Sequence, residues 1–375
     1  STPKPSSAAS DVYKRQDGAG TIGASGSGDF YNLAVDAGAN TVSLGSDVGV
    51  DGAVTIISGN LALYSGGGYR LAVAGDVVVQ GTITFGDATY SGVLDVAGNV
   101  DYSAAGAILE FNSSAGRLEL EGSLVTGGTL NEANGTIEFD SKTASQTIPA
   151  EAYYNLEIDK GGTTPQTATA GGNLTVTGTL TVTGGILALD DGASGLTHSV
   201  GAVVNNGTIN VSLSTLVVSG LYDNNGTTNV GSGVIDANGG IDTDGGMIDF
   251  GGLSGRLEIA GVFTVGTGTV NAASGTIVFD DKGANQTIPS AVTYWNLEID
   301  KYDSVNAISY SAQPDGNLDV DGSFTVVSGE FVPDDGATGL VHSVGGNWDD
   351  SGADATFTGG ISRICLLYTS PSPRD

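Results

Sequence analysis

His198 and His342 are the only histidines in the chain. Imidazole titrates near neutral pH and ligates metals, so these are the first places to look for acid–base or metal chemistry. They sit in related strings, DDGASGLTHSVG at 190–201 and DDGATGLVHSVG at 334–345, each opened by an aspartate pair, Asp190–Asp191 or Asp334–Asp335. A metal or catalytic centre needs a second histidine, a cysteine or a fixed carboxylate converging on one point. The strings offer a D-D-G turn that leads into a strand. A feature copied in each repeat reads as architecture.

Carboxylates are the other chemical resource. Polysaccharide lyases and hydrolases use paired carboxylates, or a cation with a basic residue as proton acceptor. Acidic residues number 42 against 12 basic ones, so a chance pair of carboxylates means little. No unrepeated cluster of carboxylate and base stands out, and the expectation is that this segment is not an enzyme. Arg117 and Arg256 each begin R-L-E, with Glu119 and Glu258 two residues on. In a strand such residues share a face, so each Arg–Glu pair is expected to form a contact along one side of a sheet. No organic cofactor is expected. Calcium prefers several oxygen ligands, and DANGGIDTDGG at 236–246 supplies Asp236, Asn238, Asp242 and Asp244 as a candidate site. It faintly resembles glycine/aspartate calcium nonapeptides, but lacks their nine-residue recurrence. A second acidic stretch is NWDDSGAD at 347–354. Asp and Asn also favour turns on their own account.

Two further patterns bear on surfaces. Thr175, Thr177, Thr179, Thr181 and Thr183 alternate along one face, as in ice-binding arrays, but the aligned residues of the next unit are Asp319, Asp321, Ser323, Thr325 and Val327. The array is not kept, which argues against ice binding. The aromatic pairs Tyr153–Tyr154 and Tyr294–Trp295 both precede N-L-E-I-D. One of each pair is expected to cap the core and the other to lie outside, where an aromatic ring is also a surface for stacking sugars.

These residues must be positioned by short strands. GNLTVTGTLTVTGGILAL at 172–189 places Leu174, Val176, Leu180, Val182, Leu187 and Leu189 inward, with polar residues between them. That is the period-2 signature of half-buried strands. Gly178, Gly184 and Gly185 punctuate the run as expected turn positions. No segment has a convincing helical period.

The pattern recurs on a longer scale. GTIEFDSKTASQTIPAEAYYNLEIDK at 135–160 matches GTIVFDDKGANQTIPSAVTYWNLEIDK at 275–301, and SAGRLELEG at 114–122 matches LSGRLEIAG at 253–261. The offset is 139 residues from Gly116 to Gly255 and 144 from His198 to His342, which makes tandem units of about 140 residues. An earlier partial unit shows in DFYNLAVD at 29–36 and in SGNLALYSGGGYRLAVAGDVVVQGTI at 58–83. Strands this short, without a hairpin Asn-Gly at every turn, predict an all-β parallel β-helix, or β-solenoid, with rungs on the order of 20 residues. Tandem β-sandwich domains are the alternative.

The two ends are of another kind. SSAASDVYKRQ at 6–16 and CLLYTSPSPRD at 365–375 resemble translated sequencing adapter, each back-translating to an adapter-like string. This reading makes 1–16 and 365–375 disordered tails, 17–100 a partial repeat, 101–240 a repeat unit and 241–364 a truncated one. Lys4, Lys14, Arg15, Arg374 and Cys365, the sole cysteine, then belong to the tails.

A formal net charge of −30 argues against nucleic acid, whose phosphates need Lys and Arg, and against an anionic membrane surface. No apolar run approaches the roughly 18 residues of a membrane-spanning helix. Hydrophobic residues at 39% suffice for a core, so simple disorder is not expected.

The combination G-T-[IL]-x-F-x…Q-T-I…Y-x-N-L-x-I-x, followed by G-x-L-x-V-x-G-x-[LF]-x-V, resembles the β-strand-repeat surface proteins of bacteria. These are adhesin-like and autotransporter-passenger-like chains with filamentous-haemagglutinin-type solenoids. The resemblance covers nearly all of 17–364 and implies secretion, display at the extracellular cell surface, and a role as stalk or adhesin. Glycans or proteins of host or environmental surfaces are the implied partners. A β-helix carbohydrate-active enzyme, with its catalytic region mostly outside this segment, is the alternative.

Overall fold

A computed structural model of the chain describes residues 19–23, 30–112, 115–190, 192, 195–334, 339–352 and 354–367. The chain is all-β and winds as a parallel β-solenoid of about 15 turns. Two compact units are distinguished, one ending at Thr179 and the other beginning at Leu180. The division falls inside the repeat unit assigned to 101–240. In a solenoid each turn contacts only its neighbours, so compactness does not follow repeat phase.

In the first unit, parallel pairing carries equivalent residues from turn to turn. Leu71, Leu94, Leu118, Ile137 and Leu156 are successive in-register partners. Val73, Val96, Leu120, Phe139 and Ile158 form the next column. All ten are buried, and the residues between them face outward because side chains alternate along a strand. Two further parallel stacks close the turn. One runs through Val54–Ala62, Val77–Val79, Val100–Asp101 and Leu124–Val125. The other joins Val54–Ala62 to Thr82–Thr84, Ile108–Glu110 and Thr129–Asn131. Partners lie 19 to 26 residues apart along the chain, which is the expected rung length.

The second unit repeats the arrangement. Leu216, Ile235, Leu257, Ile277 and Leu297 make one buried column, and Val218, Ala237, Ile259, Phe279 and Ile299 another. Asn205 and Asn224, in register on neighbouring turns, are also buried. Asn205 Nδ2 donates to Asn224 Oδ1 at 2.8 Å, and Asn224 Nδ2 donates to the Met247 carbonyl at 3.0 Å. Thr228 and the Tyr222 hydroxyl complete the network, so these core amides are paired as buried polar groups must be. Among the described residues the antiparallel exceptions are one strand pair, Tyr302–Asp303 with Ile308–Ser309, and two isolated bridges, Tyr64 with Gly68 and Gly86 with Ser91.

The parallel pairing of the turns among the described residues replaces the β-sandwich alternative. All six expected inward residues of 172–189 are buried. Gly178 is not a turn: it lies within the strand Thr175–Gly184. A Cβ there would sit 2.5 Å from Asn155 Oδ1 and 2.8 Å from the Tyr154 carbonyl, so glycine answers a close approach. The strand Arg363–Leu366, which includes Cys365, pairs in parallel with Val341–Val344. The tail 1–16 and residues 368–375 lie outside the described residues. Among the described residues no helix is long and apolar enough to cross a membrane.

Turn corners are equally strict. A Cβ on Gly98 would lie 2.4 Å from the Gly75 carbonyl oxygen, and one on Gly122 would lie 2.1 Å from that of Gly98. Gly98→Ala should therefore reduce stability by about 1–3 kcal/mol, as overpacking does. Gly162→Ala, with nothing within 4 Å, should stay within about 0.5 kcal/mol of the parent. Urea unfolding checks the pair, and equal midpoints for both variants would contradict the stacking.

Candidate functional site

The outward rows of the first unit place like residues above one another. Asp95, Glu119, Glu138 and Glu157 are successive in-register partners and make one column of carboxylates. Adjacent strands are about 4.8 Å apart, so such a column repels itself unless cations lie along it. Two arginines do this. Arg70 Nη2 lies 2.6 Å from Asp95 and 2.7 Å from Glu119. Arg117 reaches Glu119 at 3.2 Å, Glu138 at 2.5 Å and Glu157 at 2.8 Å. The expected Arg117–Glu119 contact is present, and the larger part of the interaction is between turns.

The second unit has the corresponding device. Asp236, Glu258, Val278 and Glu298 form the column. Arg256 holds Glu258 at 2.5 Å and spans past Val278 to both oxygens of Glu298, each at 2.9 Å. A bidentate grip of this kind is directional as well as electrostatic.

Charge remains in excess within these columns. Burial pushes Glu138 up to about 7; Arg117 opposes this, and Glu157 and Asp140 reinforce it. Asp140 and Asp280, one row over, are each pushed up to about 6, again mainly by burial. One carboxylate oxygen of each is buried without a hydrogen-bond partner among the described residues.

Two fully buried lysines are the site residues that sequence reasoning missed. Lys160 Nζ donates to the Ser141 carbonyl at 2.9 Å and to Gln146 Oε1 at 2.5 Å. Lys301 Nζ donates to the carbonyls of Asp281 and Ala284, at 2.7 and 2.8 Å, and to Gln286 Oε1 at 2.7 Å. Each glutamine also donates to two carbonyls of the preceding turn, Leu120 and Gly122 for Gln146, Ile259 and Gly261 for Gln286. Lysine and glutamine together tie down the loop that precedes Q-T-I. Burial pushes both ammonium groups down to about 8. The signal was parity: Leu156, Ile158 and Lys160 share one phase of N-L-E-I-D-K, so a lysine that follows two core residues at that spacing points inward.

The histidines obey the same parity. His198 pairs in register with Leu216 and is fully buried, its Nε2 2.8 Å from the Leu189 carbonyl. His342 accepts from the Leu318 N–H on Nδ1 at 3.1 Å, which leaves Nε2 to donate to the Pro333 carbonyl at 2.7 Å. Burial lowers the pKa of both. They are core residues of a strand, tied to carbonyls of the preceding loop. Asp191 and Asp335 lie outside the described residues.

The calcium candidates are spread over two strands, which hold Asp236 and Asp242, and the two turns that follow them, which hold Asn238 and Asp244. Asp236 Oδ1 accepts from Asn238 Nδ2 at 3.0 Å, and Asp242 Oδ1 accepts the Asp244 N–H at 3.0 Å. Asp244 Oδ1 accepts from the N–H of Thr267 at 2.9 Å, which with the Thr267 hydroxyl lowers its pKa. These oxygens serve turn and inter-turn hydrogen bonds. Among the described residues no three His, Cys, Asp or Glu side chains gather as a metal-ligand set. In 347–354, Asp349 caps the Ser351 N–H at 3.0 Å.

The aromatic pairs divide as expected. Tyr153 and Tyr294 are fully buried, each hydroxyl donating at 2.8 Å to a proline carbonyl, Pro149 and Pro289. Tyr154 is half-buried and Trp295 is exposed. Compared with known proteins, the chain matches no family model, no curated sequence and no solved structure.

Stability should follow the raised carboxylates between pH 5 and 8. A carboxyl whose folded pKa lies above its unfolded value favours folding below the unfolded pKa and loses that contribution as pH rises through the folded value. For Glu138, Asp140 and Asp280 the loss falls near pH 6–7. Lys160 and Lys301, with folded values near 8, add slope only above that window. The two buried histidines act in the opposite sense, since a lowered folded value adds stability as pH rises toward the ordinary imidazole range. The carboxylate effect is therefore read as a difference between variants: the change in Tm from pH 5.5 to pH 7.5 should be more positive in Glu138→Gln than in the parent. An identical pH dependence of Tm in the variant and the parent would contradict the reading.

Proposed function

We propose that this chain is part of a secreted, surface-displayed structural and adhesive protein, in which the repeats serve as a stalk. The observation that carries this reading is the internal use of chemically capable groups in both sequence repeats. The arginines neutralise carboxylate columns, the lysines tie loops, the histidines close the core and the tyrosines cap it. Each device occurs at equivalent repeat positions and ties successive turns together, which is what a stiff spacer requires. A strongly acidic exterior adds to it, since self-repelling surfaces resist collapse onto one another in salt water.

Surface display is directly measurable. An antibody raised against the purified chain should label intact cells that carry the gene. Labelling that appears only after permeabilisation would contradict the proposal.

A further inference from the structure

The two tandem units differ at one surface location in a way that points to a ligand. In the second unit a cleft of about 220 Å³ is lined by Val270, Asn271, Ala272, Thr293, Trp295 and Asp321. The equivalent residues of the first unit are Leu130, Asn131, Glu132, Ala152, Tyr154 and Thr177. Glu132 gives way to Ala272, which shortens a side chain at the cleft. Ala152 becomes Thr293, which adds a hydroxyl. Tyr154 becomes Trp295, which enlarges the aromatic surface. Thr177 becomes Asp321, which adds a carboxylate.

With Leu130 to Val270, five of the six positions differ, and they come from three separate stretches, 270–272, 293–295 and 321, which meet in one cleft because the solenoid brings successive turns together. The buried partner Tyr294 and the strand Asn296–Asp300 keep the first unit's pattern, so packing does not demand the changes. Trp295 is 41% exposed, against a half-buried Tyr154 whose ring edge lies against Gly178. The Asp321 carboxylate and the Thr293 hydroxyl are exposed and make no hydrogen bond to the described residues. Asn271 donates one amide N–H to Asp249 at 2.8 Å, which fixes the amide and leaves its Oδ1 as an acceptor beside its second N–H.

We propose that this cleft is a subsite for one ring of a neutral pyranose glycan. A pyranose presents an apolar C–H face and a rim of hydroxyls. The indole offers a broad apolar face for the first. Asp321 and Asn271 accept hydrogen bonds from the second, the carboxylate more strongly than a neutral group would. The size suits a single sugar ring, since drug-sized ligands occupy clefts of about 300–1,000 Å³. Anionic sugars are disfavoured by Asp321 and by the net charge of −30. The inference rests on the adhesive part of the function proposed above and names its ligand class.

The test is native affinity electrophoresis of the whole chain, through gels containing galactomannan, hydroxyethyl cellulose or polygalacturonate, with a plain gel as reference. Retardation is expected in at least one neutral gel and not in polygalacturonate, with release by methyl β-glucopyranoside but not by tetramethylammonium chloride. A Trp295→Tyr and Asp321→Thr double variant takes the residues of the equivalent first-unit positions, so the fold tolerates them. It should lose about tenfold or more in apparent affinity with an unchanged circular-dichroism spectrum. Asp321→Thr alone should lose part of the affinity. Free migration of the parent in both neutral gels, retention only by polygalacturonate, release by tetramethylammonium or an unaffected double variant would each overturn the proposal. The electrophoresis uses purified chain, so its failure leaves surface display untouched, and failed surface labelling leaves the subsite standing.

Discussion

In-register stacking of parallel turns is the constraint on which everything else depends. Each residue meets its equivalent one turn away, about 4.8 Å distant, so any property of a position is multiplied along a column. Apolar positions gain from this, and the Leu71–Leu156 and Leu216–Leu297 columns form continuous cores. Acidic positions lose by it. Arg70, Arg117 and Arg256 are long enough to reach carboxylates on more than one turn, and they lie where repulsion would otherwise accumulate. Exposed single pairs contribute only about 0–1 kcal/mol each, so their role is to relieve the column as a network.

The same constraint explains how much could be read from residue order. Alternation identified the inward set Leu174 to Leu189 because a period of two is visible in one dimension, and short glycine-broken strands pointed to the parallel solenoid. The split of Tyr153 from Tyr154, and of Tyr294 from Trp295, was visible for the same reason. What lay hidden was the turn-to-turn dimension. Arg117 and Glu119 suggested a pair within one strand, whereas the guanidinium also reaches Glu138 and Glu157, 21 and 40 residues on. Chemical expectation also masked parity. Lys160 and His198 occupy inward phases of their strands, yet a charged or titratable residue is ordinarily placed outside, and only the loop carbonyls that receive them make burial tolerable. Gly178 looked like a turn because glycine commonly marks one, and it is instead a point where two turns touch.

Repetition also separates scaffold from surface. Groups kept in both units, such as Lys160 with Lys301, Gln146 with Gln286 and Tyr153 with Tyr294, are consumed by the fold. Positions that change between units while the fold persists are free to serve another purpose, and the cleft beside Trp295 collects several of them. A solenoid can vary such outward positions one at a time, since each turn's core is complete without them.

The most direct test of the stacking is a distance across turns within the first unit. Ala72 and Glu157 face outward on the same row, joined in register through Asp95, Glu119 and Glu138. With Cys365→Ser, and nitroxide labels on Ala72→Cys and Glu157→Cys, pulsed electron–electron resonance reads their separation. Four strand spacings of about 4.8 Å place the backbones about 19 Å apart. A narrow distribution centred near about 20 Å is the predicted result. A broad distribution, or one centred beyond about 30 Å, would contradict the parallel in-register solenoid.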